Sequence, residues 1–301
     1  MNLKQLSYFK AVVEQGGFSA AARHLHIAQP AISIAIRKLE SELELTLLQR
    51  SERQISATTE GEVLLQHANR LLEQASIANL EMSELRGLTK GEVRIGIPSM
   101  LGSYYFPPFL MGFKHRYPEL RLSVFEQGTR RLQEMIRSGE LDLGVVVADA
   151  PPADLETRFL TREEMVACVP KEHPFASKSS ITMDEFFSQE LVVFKQGYFL
   201  REFIERFSQQ RGEAPIIAFE TNLIPLTKAI VRQGFGISTF LRMVIEQDPQ
   251  QDLVAVPFTD PVYLDLSLAW KKEGYLSRAD RAFVDYILEN NPSANEYGAA
   301  D

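Results

Sequence analysis

Residues 29–43 read QPAISIAIRKLESEL, and their spacing decides the reading of the amino-terminal segment. Ile32, Ile36, Leu39 and Leu43 recur every three or four positions and so share one face of a helix. Opposite them Gln29, Ser33 and Arg37 follow one another every four residues with Lys38 alongside, a polar ridge pointing away from any core. Pro30 sits in the first turn, where the amide it lacks would be unpaired anyway. Upstream, Ser19 is the expected cap of a short Ala-rich helix, AAARHL, and two helices joined by a tight turn make a helix-turn-helix. Leu3, Leu6, Phe9 and Val13 predict another helix over about residues 3–15, stopped by Gly16-Gly17. Such a ridge suits a major groove: Gln and Arg bond base edges, Ser bonds a base or a phosphate, and Lys neutralises phosphate. The same spacing also fits the solvated face of an ordinary three-helix bundle.

The flanking sequence favours the groove. Leu47-Leu48-Gln49-Arg50 and Gln54-Ile55-Ser56-Ala57 read as two short strands around a polar turn, with Arg50 and Arg53 at or near its tip. A basic hairpin after a helix-turn-helix is a wing suited to backbone or minor-groove contacts. Thr59-Glu60-Gly61-Glu62 then has the form of a capping box and starts a long helix. Along it Leu64, Ala68, Leu71, Ala75, Ala78, Met82 and Leu85 alternate steps of four and three, the seam of a coiled coil. At about 1.5 Å per residue it extends roughly 40 Å. The small alanines suit pairing with an identical helix, and paired helix-turn-helix units fit a two-fold DNA site. The alternative is a helix packed on its own domain.

The 301 residues, 45% hydrophobic, allow about two domains with their own cores. A net charge of −8 at first argues against nucleic acid, which needs Lys and Arg. Its distribution reverses that inference: residues 1–58 hold seven Lys and Arg against five Glu, net +2, so the rest of the chain carries −10. The single cysteine, Cys168, removes disulfides and Cys-based zinc sites. No signal-peptide core or apolar run of roughly 18 residues is evident, so a cytoplasmic location without membrane contact is expected.

From residue 91 the pattern alternates. Strands are expected at Val93–Ile97, Leu120–Phe125 and Leu141–Val147, with helices over Leu101–Tyr117 and Arg131–Ser138. The alternation resumes with strands near 165–169, 191–194, 216–219, 236–239 and 266–270, helices at 200–210 and 224–233, and a last helix from Arg278. This is an α/β sheet, whose ligands bind beyond the carboxyl ends of strands. Ser99 and Thr129 each fall just past a strand and before a helix, where a hydroxyl and free amides make an anion site or simply a cap.

Residues 9–43, FKAVVEQGGFSAAARHLHIAQPAISIAIRKLESEL, together with the Arg50 wing, Thr59-x-Gly61 and the later SGELDLGVV, resemble the LysR-type transcriptional regulators. The resemblance implies a winged helix-turn-helix over 1–58, a linker and dimerisation helix with hinge over 59–90, and an effector-binding domain over 91–301. That domain would be of the two-lobed periplasmic-binding type (type II), lobe I about 91–161 and 266–301, lobe II about 162–265. Expected partners are double-stranded DNA, an anionic small-molecule effector, further copies of the chain as a dimer of dimers, and RNA polymerase. Gln29, Pro30, Ser33, Ile34, Arg37, Lys38, Arg50 and Arg53 would meet DNA; Ser99, Met100, Thr129, Val147, Gln196, Gly197 and Tyr198 would line the effector pocket. Four positions depart from the pattern. Ala28 stands where Ser or Thr often precedes the recognition helix, Ile34 where many members carry Arg, and Glu44 and Leu48 replace a common Gly and Phe. Ile34 can make only apolar contacts, for example with a thymine methyl.

The rival class is a free-standing solute-binding protein or an enzyme on a periplasmic-binding fold, which would have no use for residues 1–87. The chain has no complete Gly-x-Ser-x-Gly and no phosphate-loop Lys, and Gly234-Phe235-Gly236 holds only the start of a dinucleotide fingerprint. His24, His26, His67, His115 and His173 lack ligand spacing, so neither metal nor cofactor is expected. Cys168, in an apolar run, reads as a buried inert thiol. Tyr104, Tyr105 and Phe106 read as core, with ligand stacking as the alternative.

Overall fold

The structure, a computed structural model, describes residues 1–50, 55–85, 91–147 and 153–291. The chain divides into two compact units, Met1–Leu88 and Thr89–Asp301.

The first unit runs α1 (Leu3–Glu14), α2 (Phe18–Leu25), α3 (Gln29–Leu43), β1 (Leu48–Arg50), β2 (Ile55–Ala57) and α4 (Thr59–Leu85). Phe9, Val12, Ala21, Ile32, Ile36, Leu39 and Leu47 are fully solvent-excluded and form its core. Burying one stripe from each helix gives more stabilisation than local propensity could, at about 25 cal/mol per Å² of apolar surface. Two capping expectations shift, by two residues at α2 and by one at α4. The α2 helix begins at Phe18 with Gly17 as its cap residue, so Ser19 is already helical. The α4 helix is capped by Thr58, whose hydroxyl accepts from the Gly61 amide at 3.0 Å and donates to the Thr46 carbonyl at 2.8 Å. Thr58 thereby also ties the helix start to the wing. Glu44 ends α3 in the left-handed conformation, φ 53°. That region costs a residue with a Cβ roughly 1–2 kcal/mol. Glu44→Gly is therefore expected to stabilise this unit by about 1 kcal/mol, seen as a higher urea midpoint by far-ultraviolet circular dichroism; an unchanged or lower midpoint would refute the strain.

The second unit begins with β3 (Glu92–Gly96), α5 (Ser99–Tyr104), α6 (Pro107–Arg116), β4 (Arg121–Phe125), α7 (Thr129–Ser138) and β5 (Leu143–Val147). It continues with β6 (Leu155–Pro170), a 3-10 turn at Pro174–Ser177, α8 (Met183–Phe187), β7 (Glu190–Val193), α9 (Phe199–Arg211) and β8 (Ile216–Glu220). Last come α10 (Ile224–Arg232), β9 (Ile237–Leu241), α11 (Arg242–Glu246), β10 (Leu253–Val256), β11 (Val262–Lys271) and α12 (Arg278–Asn290). The helix expected over 101–117 is two helices, because Pro107 and Pro108 cannot supply the amides that would continue α5.

The strands form one sheet in the order β4-β3-β5-β11-β6-β9-β7-β8, with β10 also paired to β6. Its ends are two parallel sets, β3 with β4 and β5, and β7 with β8 and β9. Between them β6 and β11 run antiparallel from Leu155↔Lys271 to Met165↔Val262. The ladder shifts register once: Thr161 pairs with Leu266 and Phe159 with Ser267, leaving Leu160 as the extra residue of a bulge. Two strands thus hold two lobes, and the bulge re-aims the sheet where one lobe gives way to the other. The β6 strand is far longer than the expected 165–169, because its first half, LETRFLTREE, is too polar to read as a buried strand.

Candidate functional site

The first candidate surface is the outer face of α3. With Ile32, Ile36 and Leu39 buried, the helical period turns Gln29, Pro30, Ala31, Ile34, Arg37 and Lys38 to solvent and leaves Ser33 half-buried. An Arg37 guanidinium N–H donates to Ser33 Oγ at 3.0 Å across one turn, which fixes the direction of the charge. Lys38 is held only loosely, 3.9 Å from Glu42. The wing strands pair Leu48↔Ala57, Gln49↔Ser56 and Arg50↔Ile55, so Arg50 is in the last described pair, its side chain lying outside the described residues. Arg53 lies outside the described residues. Glu40, which no sequence motif marks, accepts from the Leu47 amide at 2.9 Å and the Leu48 amide at 3.3 Å. It anchors the wing strand to the end of α3.

Along α4, Leu64 packs against the core of its own unit and Ala68 is fully buried. Beyond them Leu71, Ala78 and Met82 are exposed and Ala75 half-buried, while the Leu85 side chain lies outside the described residues. The seam is therefore divided, its first two positions covered by the chain itself.

The second candidate is a cavity of about 50 Å³ in the second unit. Ser99, Met100, Thr129, Val147 and Tyr198 all line it, in company with Phe194, Phe199, Leu200, Leu241, Leu264 and Leu266. Neither α5 nor α7 carries a side-chain cap, Pro98 and Gly128 being the cap residues, so the Ser99 and Thr129 hydroxyls are not spent on capping. Ser99, Thr129 and Phe199 are the first residues of α5, α7 and α9, so three helix starts, each rich in unpaired amides, border one apolar space. No Lys or Arg lines it. Gln196 and Gly197 do not reach the cavity wall. The Gln196 amide donates to Glu205 Oε1 at 3.3 Å, and Gly197, at φ 86°, presents its carbonyl to Gly128 instead. Tyr104, Tyr105 and Phe106 pack on the core and stay outside the cavity.

Several contacts cross the cleft, among them Lys228 Nζ, which donates to the Tyr104 hydroxyl at 3.0 Å. The Tyr198 hydroxyl donates to Glu126 Oε1 at 2.9 Å, Arg130 Nε lies 2.6 Å from Glu202, and a Cβ on Gly128 would fall 2.0 Å from the Gly197 carbonyl oxygen. Burial and the neighbouring Glu126 carboxylate push the Tyr198 hydroxyl up to about 12, so it remains a donor at neutral pH. Outside this closure lies a wider, charged vestibule of about 580 Å³ that includes Arg130, Gln133, Glu202, Glu205 and Arg206.

A family model described as the LysR substrate binding domain matches residues 86–292, and one described as a bacterial regulatory helix-turn-helix protein of the lysR family matches residues 3–62. The chain belongs to the LysR family of transcriptional regulators. Among relatives, the transcriptional regulator CysL of Bacillus subtilis (strain 168) is 30% identical over 243 residues, 81% of each chain. Full-length OxyR from Pseudomonas aeruginosa shares the fold at a TM-score of 0.71 and 24% identity, over 96% of this chain and 95% of that one. CbnR complexed with its target DNA does so at 0.65 and 24%, over 96% and 99%. The relatives are regulators rather than enzymes.

For a LysR-type regulator the remaining reactive side chains have structural explanations. Burial pushes the Cys168 thiol up to about 12, so it holds no thiolate at neutral pH. His173 Nδ1 accepts from the Phe175 amide at 3.2 Å and its ring packs on that of Phe175. Among the described residues no group of three His, Cys, Asp or Glu is placed to hold a metal. The closure offers a direct test. Gly128→Ala has no backbone conflict, since φ is −68°, yet its methyl must displace Gly197. A loss of about 1–3 kcal/mol in effector-domain stability is expected, and an unchanged thermal midpoint would show that the lobes part freely.

Proposed function

We propose that this LysR-type regulator, a DNA-binding helix-turn-helix protein with an effector-binding domain, acts as a cytoplasmic homotetramer on two-fold-related promoter sites. It is controlled by a small molecule with an apolar body and one anionic end, held between the lobes. The observation that carries the effector reading is the meeting of three helix starts and two uncommitted hydroxyls at one apolar cavity. Helix N-termini favour negative charge by their unpaired amides and dipole, and the apolar walls bury the remainder of the ligand. For DNA the support is the outward ridge of α3 with Arg37 already oriented. For pairing it is the uncovered part of the α4 seam, Leu71 to Met82. Among the described residues no helix is long and apolar enough to cross a membrane. RNA polymerase is the partner through which altered promoter occupancy would act.

The two activities are linked if the effector prefers one lobe arrangement, because a ligand shifts an equilibrium only by its differential affinity. At about 50 Å³ the closed cavity admits only a few atoms, so a larger effector has to break the Tyr198–Glu126 and Arg130–Glu202 contacts to enter. Carboxylates screened by thermal shift on the full chain are expected to raise its midpoint more than their neutral amides, and Ser99→Ala to weaken that response without changing effector-free DNA binding. Equal responses to acid and amide would reject the anion site. On DNA, Arg37→Ala is expected to lose about 1–3 kcal/mol on an enriched duplex and much less on random duplex. Equal losses on both would remove Arg37 as a base reader.

A further inference from the structure

The polar face of α3 carries an apolar patch that nothing in its unit covers. Pro30, Ala31 and Ile34 are all exposed, Ile34 by 64%. Residues three and four apart are neighbours on a helix, so these three side chains are contiguous. Around them stand Gln29, Ser33, Arg37 and Lys38. The patch does not serve the core, whose stripe of Ile32, Ile36 and Leu39 is fully buried roughly 200° away around the helix. On propensity alone a solvent-facing position favours Lys, Glu or Ala over a β-branched side chain, and the exposed Ile34 surface is unfavourable in water. Its surroundings identify what would cover it. Arg37 and Lys38 call for an anionic partner, and the Ser33 bond leaves Arg37 further N–H groups for a base edge. A DNA major groove lined by phosphates presents one prominent apolar group, the 5-methyl of thymine.

Resting on the DNA-reading function above, we propose that Ile34, flanked by Pro30 and Ala31, reads a thymine methyl in each half-site while Arg37 takes a guanine on a neighbouring base pair. Arg37 lies three residues further along α3, about 4.5 Å at the helical rise, against about 3.4 Å per base-pair step. Ser33 is a positioning residue for that guanidinium. The recognised step is therefore a thymine next to a guanine, with the methyl contact made by shape and apolar burial alone.

The test begins with selection by the full-length chain from a random duplex library, then replaces each thymine of the enriched sequence with deoxyuridine, which removes only the methyl. Wild-type protein is expected to lose affinity about fourfold at one thymine per half-site, the ratio for about 0.8 kcal/mol from one methyl-sized group. Ile34→Ala should bind the thymine and deoxyuridine duplexes equally, and Ile34→Arg, reselected on the same library, should exchange that thymine for guanine. Neither change touches the core, and matching circular dichroism melts check folding. An enriched site in which every thymine tolerates deoxyuridine, or an Ile34→Ala protein as sensitive as wild type, overturns the assignment and leaves DNA reading intact. Enrichment of no sequence at all overturns DNA reading, and this assignment with it.

Discussion

Everything at the reading end depends on the burial of one stripe of α3. Once Ile32, Ile36 and Leu39 are sealed against α1 and α2, the 3.6-residue period leaves no freedom about what faces outward. Gln29, Ile34, Arg37 and Lys38 are presented together because their neighbours are hidden. The wing is tied to the same helix by Glu40, whose carboxylate takes up the amides of Leu47 and Leu48, and α4 is tied to the wing by Thr58. Core burial thus sets the geometry of a surface whose own polar side chains contribute little to stability.

The sensing end rests on a different constraint, a single sheet shared by two lobes. The long strands β6 and β11 belong to both, with a bulge at Leu160 between the lobes and further contacts across the cleft. Those contacts include the Tyr198–Glu126 and Lys228–Tyr104 hydrogen bonds, the Arg130–Glu202 ion pair and the close approach of Gly128 to Gly197. Exposed or half-exposed ion pairs and single hydrogen bonds contribute about 1 kcal/mol each, a scale that a small ligand can offset. A rigid sheet with a lightly fastened cleft is what a two-state sensor needs.

Much of this was legible in the sequence where the signal is local. The stripe and ridge of α3, the wing strands and the run of β5 all follow from spacing within a few residues. The net charge of −8 conceals a basic first segment, which only the distribution of charge along the chain shows. Non-local features were not legible. The first half of β6 gains its strand character from pairing with β11, a partner about a hundred residues away, and Tyr198 meets Glu126 across 72 positions. Gln196 and Gly197, expected along the pocket, do not line the cavity, and Gly197 instead approaches Gly128 across the cleft. The caps at Gly17 and Thr58 differ from expectation by two residues and one, which sequence signals do not resolve. Arg53 and the Leu85 side chain lie outside the described residues.

The outward face of α3 is the surface proposed to meet DNA. Hydrogen–deuterium exchange of the full chain, with and without a duplex that it enriches from a random pool, reads that surface directly. Slowed exchange is expected in the first turns of α3, residues 29–34, and in the wing strands, with the sheet core of the second unit unchanged. Protection confined to other segments, with residues 29–34 exchanging as in the free protein, would contradict it.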